Sequence, residues 1–184
     1  MAENLPHHTP SPQPMAATEW KGGVAGSLGR VFAEDNLRYR TYLGQNWIEV
    51  PSLPEPFIVI DYLKRQCQFD TLTDMTAVDR PSEEKRFEII HILYSFARNE
   101  RVRVKSWVAE GRDYPSIVPI FPGADWLERE IFDMFGVRFA GHPNLKRILL
   151  PEDWAGFPLR REKSITDMDN DWVQRNLGIE SGQS

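Results

Sequence analysis

Along this chain the spacing of apolar side chains changes period several times, and each period predicts an element. Residues 101–110 alternate strictly, with Val102, Val104 and Val108 opposite Arg101, Arg103, Lys105 and Trp107. That is the period of a strand with one buried face. Residues 86–96 are apolar on both sides, Phe87, Ile89 and Leu93 against Ile90, Ile92, Tyr94 and Phe96, which predicts a strand covered on both faces. Residues 69–79, with Phe69, Leu72, Met75 and a run of Thr and Val, predict a third strand, and residues 81–84 form the polar turn after it. Three consecutive strands with short turns make an antiparallel sheet.

Upstream, Val59, Ile60, Leu63 and Cys67 recur at helical spacing and predict a helix over 57–68, with Pro56 tolerated in its first turn. Residues 47–50 predict a short strand. Leu28, Val31, Phe32 and Tyr39 predict a helix ending at Gly44, although Leu37 falls off its face. Residues 1–26 are rich in Pro, Gly and Ala without a periodic pattern, and predict a disordered N-terminal tail. His7 and His8 on such a tail make a poor metal site.

Downstream, Pro115, Pro119 and Pro122 exclude a central strand over 114–122. Residues 126–135 then predict a helix. Asp125 stands at N-cap spacing with Glu128 three residues on, a capping-box pattern, and Gly136 supplies a left-handed C-terminal cap. On a helical wheel Trp126, Leu127, Ile131, Phe132, Met134 and Phe135 cover about two thirds of the circumference. Glu128 and Glu130 fall inside that apolar arc, while Arg129 and Asp133 share a polar one at i,i+4 spacing. Buried acids need partners, and Arg138, Lys146, Arg147, Arg160 and Arg161 follow in sequence. The helix reads either as a core helix with acids at its rim, or as one walled by its own sheet on one side and a second protein on the other. Residues 137–139 predict a short strand, and Gly141, His142 and Pro143 a turn whose histidine hydrogen-bonds locally.

Composition narrows the function. The 184 residues suit one domain, 41% are hydrophobic, and no apolar run reaches the roughly 20 residues of a membrane span. The net charge of −5 argues against a general nucleic-acid binder. A single cysteine, Cys67, excludes an internal disulfide and a cysteine-ligated cluster made by this chain alone, and fits a small core side chain. There is no Gly-rich phosphate loop and no zinc spacing. Glu128 and Glu130, two residues apart, point to different sides of a helix and do not make a shared acid–base site. The cationic face Arg101, Arg103, Lys105 with Trp107 leaves three readings open: a solvated strand face, a base-stacking platform, or a surface for an anionic protein. After Arg161 a polar tail carries isolated Ile165, Met168, Trp172, Val173 and Leu177 as potential anchors to another surface.

The run EREIFDMFGVRFAGHPNLKRILLPEDWAGFPLR closely resembles the signature of the NuoC-type family of respiratory complex I, the C chains of NADH-quinone oxidoreductase. Glu128, Arg129, Glu130, Asp133, Phe135, Gly136, Phe139, Gly141, His142, Pro143, Leu145, Arg147, Leu149, Gly156, Pro158, Leu159 and Arg160 all match it, and Lys146 stands where Arg is common. A weaker resemblance reaches back to about Phe69. The resemblance implies a single α+β domain over 27–161, an antiparallel or mixed sheet flanked by helices. It also implies a C-terminal extension, 162–184, packing on partner subunits. It implies a non-catalytic scaffold in the peripheral arm of a proton-pumping complex, on the cytoplasmic face of a bacterial inner membrane. FMN, iron–sulfur clusters and quinone would belong to partner subunits, with D-, B- and I-type chains as neighbours. This chain would hold no cofactor or metal, bind no nucleic acid, and meet the membrane only through the complex. Homologous chains also serve related membrane-bound hydrogenases and other electron-input complexes. From the residues alone, a free-standing adaptor for an anionic protein is the competing reading.

Overall fold

A computed structural model describes residues 16–21, 23–32, 37–51, 55–163 and 169–178. His7, His8, Ile165 and Met168 lie outside the described residues. The rest form a single α+β domain in which helices cover one face of a mixed sheet.

The sheet has six strands: β1 (Thr18–Glu19), β2 (Arg38–Tyr42), β3 (Gln45–Val50), β4 (Thr71–Asp79), β5 (Phe87–Ser95) and β6 (Glu100–Val108). Their spatial order is β1-β2-β3-β6-β5-β4. The β4–β5–β6 meander predicted from alternation is present within a residue or two of its expected bounds. It is antiparallel throughout, running from Phe87 opposite Val108 to Ser95 opposite Glu100, with an irregularity in β4 between Leu72 and Asp74. β3 joins this meander side by side with β6 in the same direction, Asn46 beside Val102 and Val50 beside Ser106. Such a parallel pairing requires a crossover, here supplied by α2 (Glu55–Cys67), close to the helix predicted at 57–68.

The N-terminal prediction needs correcting. Residues 28–44 do not form one helix: α1 spans Gly23–Val31, and residues 38–50 form a β-hairpin. Its turn is Leu43-Gly44, both at positive φ (47° and 73°), the geometry that follows the natural strand twist. Tyr39, expected on a helical face, pairs instead with Ile48. Order also begins before residue 27, since Thr18 and Glu19 pair with β2 and Val24, Ala25 and Leu28 are buried.

One core lies between the sheet and the helices. Ile48, Val50, Phe87, Ile89, Leu93, Val102, Val104 and Val108 enter it from the strands; Leu28 comes from α1, and Val59, Ile60, Leu63 and Cys67 from α2. Burying each large aliphatic or aromatic side chain contributes about 1.5–3 kcal/mol. The opposite face is open. Ile90, Ile92 and Tyr94 on β5, with Trp47 on β3 and Arg103, Lys105 and Trp107 on β6, remain half-exposed. No helix among the described residues lies over them. The expectation that β5 is covered on both faces is therefore corrected: every described helix with residues in the core packs on the side of Ile89, His91 and Leu93.

Candidate functional site

The segment that matches the family signature folds around α3 (Ala124–Phe135). Its start differs from the sequence expectation. Gly123 is the N-cap and no side chain caps the helix, so Asp125 lies in the first turn and no capping box forms. Glu128 turns inward instead. It is fully buried, and its Oε1 accepts the Ile117 N–H at 2.7 Å. Burial pushes its carboxyl up to about 7, the Ile117 amide pulling partly back. The expected buried ion pair of Glu128 or Glu130 with an arginine of this chain is not formed. Among the described residues no cation pairs with Glu128, and Glu130 is exposed on the outer side of the helix.

The buried pair belongs to Asp133, the residue expected on the polar arc. Asp133 is fully buried, and its Oδ2 accepts three consecutive backbone N–H groups, Ile148 at 3.0 Å, Leu149 at 2.7 Å and Leu150 at 2.9 Å. Its Oδ1 accepts Arg147 Nη1 at 2.6 Å. Burial works to raise this carboxyl, but the Leu150 amide, Arg147 and the other two amides outweigh it and hold it below the usual carboxylate range. Arg147 continues outward, donating through Nη2 to the Trp154 and Gly156 carbonyls, each at 3.0 Å. Arg129 does not pair with Asp133. It donates to the Lys146 and Arg147 carbonyls at 3.1 and 3.0 Å and lies over the Trp126 ring. Asp133 and Arg129 of one helix thus hold the backbone of 146–150 from both its amide and its carbonyl side.

The helix C-terminus is closed as expected by Gly136 at φ 78°, whose N–H bonds the Phe132 carbonyl. A second constraint acts there: a Cβ on Gly136 would meet the Phe157 ring at 2.5 Å and Arg160 at 2.7 Å. Arg160 passes through that gap, donating Nε to the Phe135 carbonyl at 2.8 Å and Nη1 to Glu110 at 2.6 Å, between the Phe87 and Phe157 rings. Phe135 itself is buried. The turn Gly141-His142-Pro143 is as predicted, with Pro143 and Pro158 exposed. His142 Nδ1 accepts the Asn144 N–H at 3.0 Å and Nε2 donates to the Asp125 carbonyl at 3.2 Å, so it is a locally bonded turn histidine.

Sequence reasoning missed one cluster. Arg86 grips both carboxylate oxygens of Asp79 at 2.7 and 2.9 Å, reaches Glu110 at 2.8 Å and contacts Glu162, while Asp79 also accepts the Arg161 N–H at 2.8 Å. The available signal was the hairpin register, which sets Asp79 opposite Phe87 and so beside Arg86. This cluster ties the end of the signature segment to the sheet. Past it, α4 (Asn170–Leu177) docks back on the chain: Trp172 packs on Trp154 and donates to Asp153 at 2.8 Å, and Val173 is buried.

These contacts hold a surface on which three large apolar side chains face outward beside exposed Glu130 and Lys146. Trp126 is 63% exposed, Leu149 63% and Leu159 55%. Among the described residues no cluster of His, Cys, Asp and Glu could hold a metal, and no helix is long and apolar enough to cross a membrane. The arrangement fixes the backbone of 146–160 and presents a surface.

Comparison with known proteins agrees with that segment's signature. Residues 40–169 match the family described as Respiratory-chain NADH dehydrogenase, 30 Kd subunit. The C chain of NADH-quinone oxidoreductase from Brucella ovis is 41% identical over 153 residues, covering 82% of this chain and 73% of that protein. The C/D chain of the same enzyme from Bdellovibrio bacteriovorus is 40% identical over 135 residues, 73% of this chain but 24% of that longer one. Among solved structures, a chain of the membrane-bound sulfane sulfur reductase, an archaeal respiratory membrane complex, shares the fold with a TM-score of 0.63. It is 19% identical, with 88% of this chain and 95% of that one covered. The chain belongs to the 30 kDa subunit family of the respiratory-chain NADH dehydrogenase.

Proposed function

We propose that this chain is a non-catalytic structural subunit in the peripheral arm of a proton-pumping NADH-quinone oxidoreductase, docked at the cytoplasmic face of a bacterial inner membrane. Its partners are D-, B- and I-type subunits, and electrons pass from NADH through FMN and iron–sulfur clusters to quinone on chains other than this one. The observation that carries this reading is the use made of the signature residues. Asp133, Gly136, Arg147 and Arg160 serve to pin 146–160 to α3, and the same scaffold turns Trp126, Leu149 and Leu159 outward. Large exposed apolar side chains on a rigid base are what an interface between chains needs at its centre. Their concentration in the family's most recognisable segment favours assembly over catalysis.

The test is affinity purification of the tagged chain from cells, with NADH:quinone activity and the recovered partner chains read on the same sample. Leu149→Asp is expected to lower recovery of partner subunits while leaving the free chain's unfolding midpoint within about 2 °C, since a surface change costs at most about 0.5 kcal/mol. Unchanged recovery would remove the α3 platform as the interface. Wild-type chain recovered without cluster-bearing partners would remove the subunit reading itself.

A further inference from the structure

The open face of the six-stranded sheet is a second surface that the α3 platform does not use. Arg103 sits between Trp47 on β3 and Ile92 on β5, and Lys105 between Glu49 and Ile90. Tyr42, Trp47, Ile90 and Ile92 border a shallow depression of about 400 Å³ in the middle of the face. The acids carried on the strands of this face have partners, and exposed Glu83 and Glu84 stand at the β4–β5 turn, at the end of the face opposite Arg101. Glu88 pairs with Arg80 and Lys105, Glu49 accepts the Trp47 indole N–H, and Asp74 accepts the Met75 amide. Four cations remain: Arg38, Arg40, Arg101 and Arg103 have no ion pair among the described residues. A chain of net charge −5 therefore presents a locally positive sheet face around an aliphatic centre.

We propose that this face docks an acidic polypeptide segment of a neighbouring subunit, its aliphatic or aromatic side chains over Ile90 and Ile92 and its carboxylates against Arg101, Arg103 and the β2 arginines. The proposal rests on the reading of the chain as a subunit of a larger complex. Charge complementarity selects the occupant. A second copy related by a two-fold axis would set arginines against arginines. A nucleic acid would want free aromatic faces for stacking, but Ile90 and Ile92 line the depression and the Trp47 ring beside them already carries the Lys105 ammonium at 5.2 Å. The half-exposed β5 residues, apolar enough to read as covered on both sides in the sequence, find their missing cover in this segment.

The experiment places the photoreactive residue benzoylphenylalanine at Ile92 in the tagged chain and irradiates the complex purified from cells. The expected result is an adduct mapped by mass spectrometry to a segment of another subunit with net negative charge. Its yield should fall at least about tenfold in Arg103→Glu, as reversal of a close interfacial charge implies, and be largely retained in Arg103→Lys. Arg101→Glu, at the exposed start of β6, gives the same answer should Arg103→Glu fold poorly. No adduct, an adduct to a second copy, to nucleic acid or to lipid, or a yield indifferent to both charge reversals would overturn the proposal. If the chain is recovered in the complex without the adduct, only the docking face falls. If the chain is not in the complex at all, the subunit reading falls with it.

Discussion

Asp133→Asn tests what holds the signature segment together. The carboxylate receives four hydrogen bonds, three from consecutive amides and one from Arg147. Asparagine supplies one acceptor oxygen. Whichever way its amide is turned, an NH₂ group faces either the three N–H donors or the guanidinium. A hydrogen bond to a charged group contributes about 1.5–3 kcal/mol, and breaking a buried pair costs about 3–5 kcal/mol. Arg147 keeps the Trp154 and Gly156 carbonyls, so its charge is not fully stranded and the lower end applies, about 3 kcal/mol. For a chain of this size that lowers the unfolding midpoint by about 6–12 °C. Thermal unfolding of the free chain measures the total. Hydrogen exchange at the amides of 148–150 measures the local part, which should quicken together at all three positions. Because the Asp133 carboxyl is held below its ordinary value, its contribution is present at neutral pH and is lost as the pH falls below about 4. The variant should lack that share of the acid sensitivity. A midpoint within about 2 °C of wild type, with unchanged exchange at 148–150, would refute the idea that this carboxylate organises the segment.

Two further substitutions probe the same helix. Glu128 is raised to about 7 by burial, so the folded chain binds more protons than the unfolded one between about pH 4.5 and 7, and stability declines across that window as pH rises. Glu128→Gln keeps an acceptor for the Ile117 amide, so it should flatten that slope and make the chain more stable than wild type at pH 8, by about 1–3 kcal/mol; urea titrations at pH 6 and pH 8 measure it, and a wild-type stability that does not fall over this interval would count against a buried ionised Glu128. Gly136→Ala combines a left-handed backbone with a Cβ driven into Phe157 and Arg160, and should cost about 2–5 kcal/mol in thermal unfolding; a loss below about 1 kcal/mol would mean that the Phe157–Arg160 stack gives way freely.

The elements legible in the sequence were those whose side chains report a single environment. Val102, Val104 and Val108 alternate because one side of β6 is core and the other is not, and Gly136 marks a cap because its conformation is local. Residues 38–42 alternate too, but two tyrosines among arginines and a threonine do not separate inside from outside, and the hairpin appears only once its β6 neighbour is known. The charges of α3 were misplaced for a different reason. A wheel sorts residues by what lies beside them on the helix. It carries no information about the amides of 148–150, which reach Asp133 from another part of the chain and make a buried carboxylate the better-satisfied arrangement. Glu128 is the converse case, since spacing suggested a cap and the amide of Ile117 drew it inward.

The side-by-side pairing of β3 with β6 has a consequence for biosynthesis. Residues 46–50 pair with β2 on one side, but on the other side their ladder partners are residues 102–106, so when the nascent chain leaves the ribosome the β2–β3 hairpin waits, with one edge unsatisfied, until the whole of α2, β4 and β5 has followed it. During that interval Ile48 and Val50, later fully enclosed, have no sheet to lie in. The strand that closes the sheet is also the one that bears Arg101 and Arg103, so the cationic face does not exist as a surface until the last strand is in place.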